Sequence, residues 1–174
     1  ENLPGGKAIR PGDVIQSMSG KTIEILNTDA EGRLILADAL FYAQQLGPRY
    51  IVDLATLTGA CVVALGHLQA GLFSNNDHIC RKLLLASERS GEKFWRLPLD
   101  DEYRKDLETQ IADIKNIGSR WGGAITAAKF LQEFVGEIPW CHIDMAGVDL
   151  FRKGQKVKGP TGFGVRTLVE MVSQ

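Results

Sequence analysis

KTIEILNTDAEGRLILADALFYAQQLGP, residues 21–48, changes its apolar period once, and that change sets the architecture. Lys21 to Leu26 alternates polar and apolar residues, the pattern of a half-buried strand that ends near Asn27. From there Leu34, Ala37, Leu40, Phe41 and Leu46 recur at helical spacing until Gly47-Pro48 stops the pattern. Downstream, Tyr50 to Leu57 is rich in Ile, Val and Leu and reads as a strand covered on both faces, after which Thr58-Gly59-Ala60 opens another apolar segment. Upstream, Asn2 to Asp13 holds three Gly and two Pro and reads as loop. Helical spacing returns at residues 79–91, at 101–112 and most strongly at Ala124 to Val135, with Pro139 beyond. Cys141 to Ala146 alternates like a strand, and a helix-like segment closes the chain over Gly162 to Ser173. Alternating elements of this kind predict an α/β layered domain with a largely parallel sheet.

Composition narrows the function classes. At 174 residues, with 44% hydrophobic and 24% charged residues, the chain suits one soluble domain with a packed core. Twenty Lys and Arg against twenty-one Asp and Glu give a formal charge of −1 with no long block of either sign, which argues against nucleic acid as a partner. The apolar run Tyr50 to Leu57 is interrupted by Asp53 and is too short to span a membrane. Cys61, Cys80 and Cys141 are too widely spaced for a disulfide framework or a CxxC zinc pair, so a reducing, cytoplasmic setting is expected. The chain opens on Glu1 without a basic and then apolar leader, which reads as the interior of a longer chain.

The chemistry concentrates where the first strand gives way to the first long helix, at NTDAEGRL, residues 27–34. Open α/β sheets bind ligands at such strand ends. On an extended backbone Asp29, Glu31 and Arg33 share one side, bringing two carboxylates and a guanidinium to one crevice. Thr28-x-x-Glu31 can equally be a capping box that satisfies helix N–H groups. Gly32 weighs against a purely helical role, because glycine weakens a first turn and permits close backbone approach to something bound.

NTDAEGRL matches, without a departure, the signature of the leucyl aminopeptidase (cytosol aminopeptidase) family, which the chain resembles along nearly its whole length. The similarity includes RPGDV (10–14), DLATLTGA (53–60), GLFSNND (71–77), IADIKN (111–116), GGAITAAKFL (122–131), PWCHIDMAG (139–147) and GPTGFGVRTL (159–168). The resemblance implies a three-layer αβα domain with a mixed, largely parallel sheet, present here as its C-terminal portion. It makes Glu31 a bridging ligand of two divalent cations, zinc or manganese, and Asp29 a ligand of one of them. Carboxylate oxygens suit such cations, and a shared Glu can hold a pair about 3.5–4 Å apart. Arg33 becomes the matching catalytic residue, with a bicarbonate beside it as general base. Thr56, Leu57 and Gly59, at the end of the second strand, line the substrate site by the same resemblance, and Ala146 is a small wall residue of the side-chain pocket. It further implies peptide substrates with a free N-terminus, a hexamer and a cytoplasmic protein.

Other signals read as structural. His67, His78 and His142 lack HExxH-type spacing. Gly20-Lys21-Thr22 ends like a phosphate-binding loop, but Ile15 stands where its first Gly is required. Lys153, Lys156 and Lys158 form a small basic patch of the solvated-loop kind. The family's other metal ligands and its catalytic Lys have no match here, so the chain is expected to hold a partial site and to be inactive alone. The competing expectation is a non-catalytic scaffold or oligomerisation module derived from the same family.

Overall fold

The structure, a computed structural model, describes residues 4–150 and 159–173, so the patch at Lys153, Lys156 and Lys158 lies outside the described residues. The chain runs β1 (Val14–Gln16), β2 (Thr22–Glu24), α1 (Gly32–Gln45), β3 (Ile51–Ala55), α2 (Gly59–Leu65) and β4 (Ala70–Ser74). It continues through α3 (Asp77–Ser90), β5 (Phe94–Arg96), a 3-10 segment (Asp101–Leu107), β6 (Ile114–Lys115), α4 (Gly123–Gln132), β7 (Trp140–Asp144) and α5 (Val165–Val172). This is an α/β fold whose sheets mix parallel and antiparallel strands. No described helix is long and apolar enough to cross a membrane.

Two compact units divide the chain. The first takes Glu1–Ile51 and Leu99–Ile138. Its sheet has the order β1-β2-β6, with β2 antiparallel to β1 and parallel to β6 through Ile23 and Ile114. Both of those side chains are fully buried, so the pairing of β2 with β6 is fixed by what it hides. Helix α4 buries Ala124, Thr126 and every residue from Ala127 to Leu131, as a helix at the centre of a core does. Glu133, just after it, receives Lys21 Nζ at 2.6 Å and Arg104 Nε at 2.8 Å. Burial would raise its carboxyl, but the bonds and charges of Lys21 and then Arg104 outweigh burial and hold it below the ordinary glutamate range.

The second unit takes Val52–Pro98 and Pro139–Gln174, around a sheet of order β3-β7-β4-β5. Strand β4 is parallel to β5 and antiparallel to β7. Every residue of β4 and β7 is buried, so the alternation expected over 141–146 gives way to a strand covered on both faces. Conversely, β3, which among the described residues ends the sheet beside β7, leaves Val52 to Ala55 only half buried. Helix α3 starts on Asn76, whose side chain accepts from His78 and Ile79 N–H, and stops at left-handed Gly91. The apolar spacing over 101–112 yields a 3-10 segment rather than an α-helix: Leu107 is buried while Ile111 is exposed, so no continuous stripe is hidden.

Candidate functional site

Strand β2 ends at Glu24, and the chain then needs partners for its backbone. Ile25 finds them in Gly12 and Asp13, and Leu26 and Asn27 find them in Asn116, fully buried just after β6. Its Oδ1 accepts from Leu26 N–H at 2.9 Å and Asn27 N–H at 3.3 Å, and its Nδ2 donates to Asn27 O at 2.7 Å. Its own N–H donates to Glu24 O at 2.9 Å, and its carbonyl accepts from Arg33 Nη1 at 2.8 Å. The Asn27 side chain then accepts from Asp29 N–H at 2.9 Å, folding Thr28-Asp29 into a turn.

This turn corrects the expectation of an extended segment. Glu31 already has helical dihedrals, φ −73° and ψ −32°, and is the N-cap of α1. The alternation rule therefore does not apply across Asp29, Glu31 and Arg33; the turn and the first helical turn place them instead. Neither does the capping box form, since Glu31 and not Thr28 stands at the cap and its side chain makes no capping bond. The carboxylates of Asp29, which is exposed, and Glu31, which is half buried, take no hydrogen bond or ion pair from another described residue. Arg33 is only 7% exposed, yet it borders a cleft of about 310 Å³ with Ser119, Arg120 and Gly123.

In the second unit Asp144, the fully buried last residue of β7, organises the loop after β3. Its Oδ1 accepts from Leu57 N–H at 3.0 Å, Thr58 N–H at 3.4 Å and Ala146 N–H at 3.2 Å, and its Oδ2 from Thr58 Oγ1 at 2.6 Å. Leu57 and Ala146, remote in sequence, thus meet around one carboxylate. Thr58 caps α2 by accepting from Cys61 N–H at 3.0 Å. Thr56 and Gly59 are exposed on either side of it, and a Cβ built at Gly59 would meet nothing within 4 Å. The Cys61 thiol donates to Asp144 O at 3.4 Å, and burial, with the Asp144 charge second, pushes it up to about 11.

The metal-ligand candidates Asp29 and Glu31 and the catalytic candidate Arg33 belong to the first unit, and Thr56, Leu57, Gly59 and Ala146 to the second. Among the described residues no three His, Cys, Asp or Glu side chains are grouped closely enough to hold a metal. The histidines have structural settings. His142 is fully buried with Nδ1 at 2.6 Å from Asp53, which also accepts from Trp140 Nε1. His67 Nδ1 lies 3.1 Å from Gly147 O, and His78 is exposed at the start of α3. Sequence reasoning missed Asn116 and Asp144 as organisers; neither IADIKN nor CHIDM carries a local signal for bonds to segments 90 and 87 residues away.

Comparison with known proteins gives a family. The model of the cytosol aminopeptidase family, catalytic domain, matches residues 1–169. A probable cytosol aminopeptidase of Koribacter versatilis is 57% identical over 174 residues, covering 99% of this chain and 34% of that protein. Another, from Syntrophotalea carbinolica, is 56% identical and covers 100% of this chain and 35% of its own. Among solved structures, a mutant of tomato leucine aminopeptidase matches with a TM-score of 0.94 and 50% identity, over 99% of this chain and 34% of that one. The chain spans about a third of the length of the curated relatives it matches.

Proposed function

The chain belongs to the cytosol aminopeptidase family, and on that premise we propose that it is the C-terminal portion of the catalytic domain of a two-metal aminopeptidase. The enzyme removes the N-terminal residue from peptides with a free amino end. The observation that carries this reading is the pair of carboxylates at Asp29 and Glu31, which no described residue engages although they flank the start of α1. Carboxylates without protein partners, four and two positions before the buried Arg33 in the sequence, suit divalent cations such as Zn²⁺ or Mn²⁺. Glu31 would bridge the two ions and Asp29 would bind one. When bound, the metals supply an acidified water, a polarised scissile carbonyl and an anchor for the substrate amine.

The chain's own residues do the rest. Arg33, held by the Asn116 carbonyl, directs positive charge at the oxyanion that develops during attack and can retain a bicarbonate as general base. Thr56, Leu57 and Gly59 contact the peptide, Gly59 leaving room for close backbone approach. Ala146 forms a small wall of the side-chain pocket. A cytoplasmic homo-hexamer is the assembly this reading carries, with neither nucleic acid nor membrane as partner.

Asp29 and Glu31 alone supply fewer donors than two sites of four or more ligands require. The 174 residues by themselves should accordingly bind metal weakly and singly and turn over no leucine anilide. In the full-length enzyme, Glu31→Gln should abolish leucine-anilide hydrolysis and lower metal content, because a neutral amide bridges two dications poorly. Wild-type turnover in that variant would remove the assignment.

A further inference from the structure

We propose that Asn116 is a positioning residue that sets the loop bearing Asp29 and Glu31, together with the guanidinium of Arg33, in the geometry the metal pair needs. The proposal rests on the reading of those carboxylates as ligands and adds a residue that touches neither metal nor substrate. Asn116 is fully buried and stands where the N–H groups of Leu26 and Asn27, past the end of β2, take its side chain as acceptor. Its side chain makes three bonds to Leu26 and Asn27, and its backbone makes two more, to Glu24 and Arg33. Asn27, so held, fixes the turn at Thr28-Asp29 through its own side chain. Through its side chain Asn116 thereby sets the path of Leu26 and Asn27 and, through Asn27, the turn that carries Asp29, while its backbone carbonyl takes one bond from Arg33.

Only an amide fits this place with all three side-chain bonds made. Its oxygen faces two N–H donors and its nitrogen faces a carbonyl, so Asp would keep the first two bonds and lose the third. Ala would lose all three, leaving the Leu26 and Asn27 N–H groups without this acceptor and Asn27 O with the Ala30 N–H at 3.3 Å. Groups that orient metal ligands from behind change metal affinity by about 10–100-fold when removed.

The test compares Asn116→Ala and Asn116→Asp with Phe134→Leu in the full-length enzyme. Phe134 is a buried residue of the same unit that packs on Phe130, so its truncation loosens the core without touching the loop. Amide hydrogen exchange at Leu26, Asn27 and Asp29 and the affinity for Mn²⁺ are measured below the melting temperature of each variant. Asn116→Ala should speed exchange at those amides at least tenfold beyond Phe134→Leu and weaken Mn²⁺ binding by about 10–100-fold, with Asn116→Asp between Ala and wild type. Phe134→Leu should lower the melting temperature alone. If Asn116→Ala matches Phe134→Leu in either readout, the positioning role is overturned. Mn²⁺ affinity lowered by Glu31→Gln but not by Asn116→Ala defeats the positioning role alone, whereas affinity that Glu31→Gln leaves unchanged defeats the reading of Glu31 and the positioning role with it.

Discussion

Arg33 occupies a position that helix energetics does not favour. It is the second residue of α1, where the helix macrodipole repels cations, and it is buried. A guanidinium kept there against both effects has a use other than stabilising the helix, and the proposed contact is with charge that builds up only during the reaction. Arg33→Ala in the full-length enzyme should therefore leave metal stoichiometry intact and lower kcat by about 10²-fold or more, as loss of a single oxyanion donor does. Metal analysis beside steady-state kinetics checks it; metal lost along with turnover would mean that Arg33 holds the loop rather than the transition state. Asp29, Glu31 and Arg33 could be proposed from the sequence because eight contiguous residues carry them. Asn116 and Asp144 could not, since their bonds reach back 90 residues to Leu26 and 87 to Leu57, a relation that only the folded chain contains.

Among the elements, legibility followed length. The long helices α1, α3 and α4 have enough turns for a 3.6-residue period to appear, and they lie close to where that period predicts them. Strands β1, β5 and β6, at two or three residues, are too short for any period, and β4, Ala70–Ser74, is buried on both faces and does not alternate. What makes them strands is their neighbours in the sheet. Gly59 opens α2 with an ordinary φ and open space where a Cβ would go, whereas Gly147 has φ +94° and its Cβ would stand 2.7 Å from Gly66 O. Gly59→Ala should leave stability unchanged or raise it by no more than about 0.5–1 kcal/mol, while raising KM for leucine anilide several-fold if the peptide backbone passes there. Gly147→Ala should cost at least about 1–2 kcal/mol from its left-handed backbone alone. Urea unfolding and KM for the two variants separate the effects, and an unaltered KM in Gly59→Ala would take Gly59 out of the substrate site.

At the scale of the molecule, the three cysteines couple stability to alkaline pH. All are buried and unpaired with one another. Burial pushes Cys141 up to about 12, with the Ser74 hydrogen bond opposing it in part, and Cys61 up to about 11; Cys80 is raised as well, by burial first. The unfolded chain releases these protons near the ordinary thiol value of 9.0, while the native chain keeps them. The native state therefore binds more protons than the unfolded state in the window between 9 and the raised values, and stability must fall as pH rises through it. Below pH 9 both states are protonated, and the thiols contribute no slope. Each thiol can take away up to about 1.4 kcal/mol per pH unit within its window. Lysines and tyrosines also titrate there, so the measurement needs a reference that lacks the two most shifted groups. Urea midpoints of the wild type and of Cys61→Ala/Cys141→Ala, compared at pH 7.5, 9 and 10.5, supply it. The wild type should lose stability steeply from pH 9 to 10.5, and the double variant, though less stable at pH 7.5 for its two cavities, should lose much less over the same interval. Equal slopes in the two proteins would mean that the buried thiols ionise as freely in the folded chain as in the unfolded one, contrary to the burial of Cys61 and Cys141 in the second unit.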